Sequence, residues 1–206
     1  VYFIIICVLG IVAIGDLVVG VSNDAVNFLN SAVGSKAISF KTILILASLG
    51  VAFGALFSSG LMEVARKGIF NPSEFYFDEI ILIFAAVMLT DILLLDFFNT
   101  IGMPTSTTVS IVFELLGAAV FMSFIKIFSE SEDLWSVFNY INTSKAAQII
   151  LGIVLSVFVA LSIGALVQFI TRLFLSFKFN KQSNISKSIF GGISLTSIFY
   201  FILIKG

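Results

Sequence analysis

The stretch AAQIILGIVLSVFVALSIGALVQFIT, from Ala146 to Thr171, contains no charged residue. A helix that crosses a bilayer needs about 20 predominantly apolar residues, and this run exceeds that length. Working outward, further uncharged or nearly uncharged runs occupy Val1 to Gly15, Thr42 to Met62 and Ser188 to Ile204, and another from Ile80 to Leu95 is interrupted by Asp91. Between Phe97 and Ile125 the apolar pattern is less regular, broken by Gly102 and Pro104 and carrying Glu114, which predicts a discontinuous or re-entrant helix. The expected fold class is all-α, a polytopic transmembrane helical bundle with broken helices. Composition agrees: 59% of residues are hydrophobic, 11% are charged and mean hydropathy is +1.16. A soluble domain carries about 45–50% apolar and about 25% charged residues.

The same inventory excludes several classes of function. Net charge is -1, so there is no basic field to attract nucleic acid. Histidine is absent and Cys7 is the single cysteine, which excludes zinc chemistry, an internal disulfide and His-based acid/base catalysis. No nucleophile has an adjacent base, so neither an enzyme nor a cofactor is expected. Val1 stands inside an apolar run without an initiator Met or a charged leader, and Gly206 follows directly on another. The expectation is a chain cut at its start and lacking a second half.

Loop charge orients the chain in the cell (inner) membrane. Arg172, Lys178, Lys181 and Lys187 occupy one connection with no acidic residue, whereas the segment Lys126 to Lys145 holds Glu130, Glu132 and Asp133. By the positive-inside rule the first is cytoplasmic and the second exterior. The segment Glu63 to Glu79 is mixed and sets no orientation, and its Asn71-Pro72 pair marks a turn. The organisation read from this is a transport region over 1–125, an exterior loop over 126–145 and two further transmembrane helices over 146–206, joined by a basic cytoplasmic loop.

Five ionisable residues fall within or beside apolar runs: Asp16, Asp24, Asp91, Asp96 and Glu114. Each costs about 2.5–3.5 kcal/mol at a helix centre on insertion scales, so each requires a reason. For Asp16 and Asp96, near the expected helix ends, an interfacial position explains the charge as well as a functional one does. Asp24 has more specific neighbours. Asn23, Asn27, Asn30 and Gly34 recur at helical spacing and form a polar stripe whose oxygens suit a cation such as Na⁺. The competing reading is a polar seam between helices.

A second constellation is Gly102-Met103-Pro104-Thr105-Ser106-Thr107-Thr108-Val109-Ser110. Proline suits a first helical turn, and Ser and Thr cap helix starts, so a helix is expected to begin here within the membrane. Its free N–H groups and the surrounding hydroxyls would form an anion pocket without Arg or Lys. A Pro-kinked helix whose hydroxyls bond back to the preceding turn is the alternative. Oxygen ligands for a cation and a helix terminus for an anion, both at membrane depth, are the parts of a cation-coupled anion symporter.

Asn23-Asp24 with Asn27 and the following Gly34-Ser35-Lys36 resembles the GANDVANA-type signature and downstream VGS(K/R) of the inorganic phosphate transporter (PiT) family. Gly102 to Thr108 is similar to that family's G-L-P-V-S-T-T-H element, and the resemblance, to the family's N-terminal half, runs over roughly Asp16 to Gly117. It implies inverted-topology repeats that jointly enclose phosphate and coupling ions, of which this chain holds one. Carried over by position, Asp24, Ser106, Thr107 and Thr108 would contact phosphate or stand beside it. Asn23, Asp24 and Asn27 would hold the coupling ion, with Asp91 and Glu114 as further candidates. Val21 and Ser22 replace the family's Gly and Ala, Val109 its His, and Glu114 a small residue, which leaves Na⁺ and H⁺ both open. The implied function is ion-coupled transport of inorganic phosphate. Transport of another oxyanion such as sulfate, or a non-transporting membrane scaffold, are the alternatives. The expected partners are inorganic phosphate, Na⁺ or H⁺, the lipid bilayer and the second half of the same protein, and a homo-oligomer is compatible with them.

Overall fold

A computed structural model describes residues 2–57, 68–103, 105–175 and 184–200. The described chain is helical: α1 (Tyr2–Ser35), α2 (Phe40–Phe57), α3 (Phe77–Thr100), α4 (Thr107–Glu130), the short α5 (Val137–Tyr140), α6 (Thr143–Leu175) and α7 (Asn184–Tyr200). Four of these, α1, α3, α4 and α6, contain spans long and apolar enough to cross a membrane. Such spans satisfy every backbone polar group internally, as a bilayer core demands. Ser58 to Met62 of the second apolar run, Lys178 and Lys181 of the basic loop, and Phe201 to Ile204 of the last run lie outside the described residues.

The chain forms two compact units, one of Val1–Gly50 with Leu61–Ala146 and one of Val51–Gly60 with Ala147–Gly206. In the first, α3 and α4 pack as an antiparallel hairpin with α1 against α3. Ile83, Val87, Asp91 and Leu95 are the buried residues of α3, four apart, and therefore form one face. Ile92 and Leu95 of α3 lie over Gly15 and Gly20 of α1, where the missing side chains let the helices approach. The facing residues of α4 are Ser110, Val112, Leu115, Ala119, Ser123, Lys126 and Ile127. Small residues here serve close packing, which drives helix association where lipid removes the hydrophobic incentive.

α1 runs without interruption through the Asn-rich segment as far as Ser35. No proline breaks it, and Ser22 satisfies its hydroxyl on the carbonyl of Val18 at 2.7 Å. The interruption expected between Phe97 and Ile125 is present: α3 ends at Thr100 and α4 starts at Thr107, each arm having 24 residues. Each arm is therefore about 36 Å long, enough to traverse the hydrocarbon core.

The hairpin's far end is closed by an aromatic cluster. Pro72 opens a 3-10 turn (Pro72–Glu74), as its Asn-Pro pair predicts. Phe70 pairs with Ile141 in an isolated bridge, and the amide of Asn71 donates to the carbonyl of Tyr140 at 2.9 Å. Phe75 packs edge-on against Phe70 and tilted against Tyr140. Lys126, read from sequence as the start of a loop, is buried in α4. Its Nζ donates to the Glu74 carbonyl at 2.7 Å, lies 3.4 Å from Glu79 Oε2 and sits 4.1 Å from the centre of the Tyr76 ring.

α6, most of which lies in the second unit, presents apolar side chains on every side: Leu151, Val157 and Ile163, about a third of a turn apart around the helix, are each more than half exposed. A helix that is apolar all round belongs in lipid or against other membrane helices.

Candidate functional site

The reversal between α3 and α4 is built by Gly102 in the left-handed region (φ 70), with its amide bonded to the carbonyl of Asn99 at 3.1 Å and that of Met103 to Phe98 at 3.0 Å. Glycine takes this conformation without the steric penalty other residues meet. Pro104 lies outside the described residues. Ser106 then caps α4, its hydroxyl accepting from the amide of Val109 at 3.4 Å. That cap leaves the amides of Thr107 and Thr108 in the first turn, where no intrahelical acceptor exists.

α1 grips this turn. Asn23 is fully buried, donating from Nδ2 to the carbonyl of Thr105 at 2.6 Å and accepting on Oδ1 from the Thr105 amide at 3.1 Å. Both ends of one amide side chain thus clamp one backbone unit. Asn99 reaches the other way, its Nδ2 donating to the carbonyl of Val19 at 3.4 Å. One residue beyond the clamp, the half-buried carboxylate of Asp24 accepts from Thr107 Oγ1, at 3.2 Å to Oδ2 and 3.4 Å to Oδ1. Ser106 and Thr108 are exposed at the same helix start, while Asn27 and Asn30 are exposed on the following turns of α1. The structure therefore brings Asn23, Asp24, Ser106, Thr107 and Thr108 to one place. Asn23 spends its amide on the backbone clamp, and Asn27 stands one turn away.

A second polar group lies deeper in the same unit. Asp16 of α1, Asp91 of α3 and Glu114 of α4 converge, with Asp91 in hydrogen-bonding range of both others. Asp91 is 3% exposed. Ser110 donates to Glu114 Oε1 at 2.7 Å. Asp16 Oδ1, Asp91 Oδ1 and Glu114 Oε2 are buried without a hydrogen-bond partner. For Asp16 the interfacial reading fails because α1 continues to Ser35 and so places residue 16 near its middle. Asp96 is exposed on α3. The signal for this convergence was in the numbering: Asp91 and Glu114 stand at similar distances either side of the α3–α4 turn, and Asp16 precedes Asp24 by about as much as Glu114 follows Thr107.

Residues 20–205 match the phosphate transporter family. The chain belongs to that family. The match contains the Asn23–Thr105 clamp, the Asp24–Thr107 contact and both arms of the hairpin, so this phosphate transporter family member is a multi-pass membrane protein whose helix break lies within the shared sequence. Among its relatives, proteins named "putative phosphate permease" from Thermococcus kodakarensis and Pyrococcus abyssi are each 30% identical over 138 residues, 66% of this chain. One of the same name from Helicobacter pylori is 35% identical over 101 residues, 48% of this chain. The matched stretch is 30%, 31% and 19% of those relatives' lengths, so the chain spans only part of them. No solved structure matches.

Proposed function

We propose that this chain supplies one repeat of an ion-coupled inorganic phosphate transporter of the cell (inner) membrane. The observation that carries the reading is the Asp24 carboxylate held against Thr107 at the capped, solvent-facing start of α4. The amides and hydroxyls of Thr107 and Thr108, with Ser106 beside them, offer donors to an oxyanion, and the partial positive charge of a helix start favours it. Because these donors are neutral, the anion can leave again. Asp24 would repel phosphate unless a cation, Na⁺ or H⁺, is bound beside it, and that mutual dependence is what couples the two fluxes. Asn27 adds an oxygen to the cation side, whereas Asn23 positions the turn. A second half of the protein completes the enclosure. The reading is one of transport, with no bond made or broken.

The test uses the full-length protein reconstituted in vesicles, with uptake of labelled phosphate measured against competing sulfate and arsenate. Thr107→Val removes one half-buried hydroxyl donor from the start of α4 and is expected to weaken phosphate affinity by about 5- to 150-fold, equivalent to about 1–3 kcal/mol. Unchanged kinetics in the folded variant would take the α4 start out of the site. Competition by sulfate at equal concentration would shift the substrate to another oxyanion, and wild-type protein that moves no anion would favour the scaffold reading.

A further inference from the structure

Asp16 stands eight residues, about 12 Å, before Asp24 along α1, and Glu114 seven residues, about 10 Å, beyond Thr107 along α4, with Asp91 of α3 beside both acids. Among the described residues, no cation on the helices packed around them answers their charge. α1 contributes Asp16 and, farther on, Asp24, which Thr107 engages. α3 contributes Asp91, and its Asp96 is exposed. α4 contributes Glu114, and its Lys126 is twelve residues away, about 18 Å, and committed to Glu74 and Glu79. The hydroxyl of Ser110 serves only Glu114 Oε1. That leaves three buried carboxyl oxygens, one on each residue, without a donor.

An ionised carboxylate is acceptor-only, so two of them in hydrogen-bonding range have nothing to share. A proton on either turns it into a donor, forms the missing hydrogen bond and removes one of two adjacent like charges. We propose that Asp16, Asp91 and Glu114 form an intramembrane proton site, centred on Asp91, that couples phosphate movement to protons. The proposal rests on the transport reading above and adds, to the cation position beside Asp24, a second and separate site that takes a proton. Binding forms an O–H bond on one carboxylate oxygen, and release returns the proton to water. A metal cation is the poorer occupant, because among the described residues no three acidic, His or Cys side chains are arranged to hold one. Two further observations are independent of the acids' mere proximity: Asp91 is 3% exposed, and its Oδ1 is buried without a hydrogen-bond partner. The site also gives Asp16 and Glu114 a reason to occupy apolar helices.

The experiment has two arms on the reconstituted full-length protein. Infrared difference spectra across a pH step should contain a carboxylic C=O band that shifts in D₂O, vanishes in Asp91→Asn and returns in Asp91→Glu. Labelled-phosphate uptake driven by an imposed pH gradient, divided by counterflow exchange at equal pH, should fall by about 5- to 150-fold in Asp91→Asn and in Glu114→Gln. A missing deuterium-sensitive band, an unchanged ratio in both variants, or a ratio that follows a Na⁺ gradient and ignores pH would each overturn the proton site. Absent counterflow in the wild-type protein would instead overturn the phosphate reading, and the infrared arm would still decide the proton site.

Discussion

Lys126 and Asp91 are both buried ionisable residues of the same helical hairpin, and they are treated in opposite ways. Lys126 has a carboxylate at 3.4 Å, a carbonyl at 2.7 Å and the faces of Tyr76, Phe75 and Tyr140 within 6.0 Å of its Nζ. Its charge is answered several times over. Asp91 has two further acids beside it and an oxygen with no donor. A protein that merely needed polar glue in this hairpin would have built the second site like the first. The compensated group is the one expected to hold structure together, and the uncompensated one is the candidate for exchanging a ligand.

Asp24 is the intermediate case, half-buried and met by one hydroxyl, so it gives the widest test of the comparison. Asp24→Asn keeps the shape and removes the charge, and uptake of phosphate driven by an ion gradient should be abolished in correctly inserted protein. Full gradient-driven uptake by this variant would move the coupling function wholly to Asp91 and its neighbours.

At the compensated end the expected loss is in stability. Lys126→Ala removes the cation beside the Glu79 carboxylate, which keeps only the Tyr76 amide, and opens space among the rings, which should cost about 3 kcal/mol in reversible unfolding from lipid or detergent. Transport per folded molecule should be unchanged, and Lys126→Met, which refills the space, should regain a large part of the stability. A loss of transport in folded Lys126→Met protein would break the contrast between the two buried sites.

The smallest effect belongs to the clamp. Asn23→Ala leaves the Thr105 amide and carbonyl without their partners, an expected cost of about 1–3 kcal/mol, with weaker phosphate affinity because the start of α4 is no longer held. Reduced stability with unaltered affinity would separate the clamp from the anion pocket.

Much of this architecture was legible before the structure. Uncharged length identifies α6 and apolar length locates α3, whereas α1 runs far past the apolar stretch that marks its start and α4 is a span in its own right; Gly102 with Ser106 places the break and the cap, because those features are local. Asn23, Asp24 and Thr107 were singled out individually, although the contact between residues about 80 positions apart was not a property of either motif. Lys126 looked like a loop lysine because its partners, Glu74 and Glu79, lie some 50 positions earlier. Asp16 was misjudged for a related reason. The apolar run thins out after Gly15, which resembles a helix end, yet hydrogen bonding carries α1 on through polar residues to Ser35. The Asn stripe was also read too uniformly: one face of α1 meets the turn at Asn23, while Asn27 and Asn30 stay exposed.

The evenly apolar α6 has a mechanical consequence. Lys145 and Arg172, both exposed, bracket its uncharged run. At 1.5 Å per residue the two are separated by about 40 Å, close to the full thickness of a bilayer with its headgroups. Each long side chain can reach an opposite headgroup layer at the same time only while that spacing matches the membrane, so α6 acts as a gauge. In a bilayer thinner by a few Å the helix must lean over to keep both anchors wet.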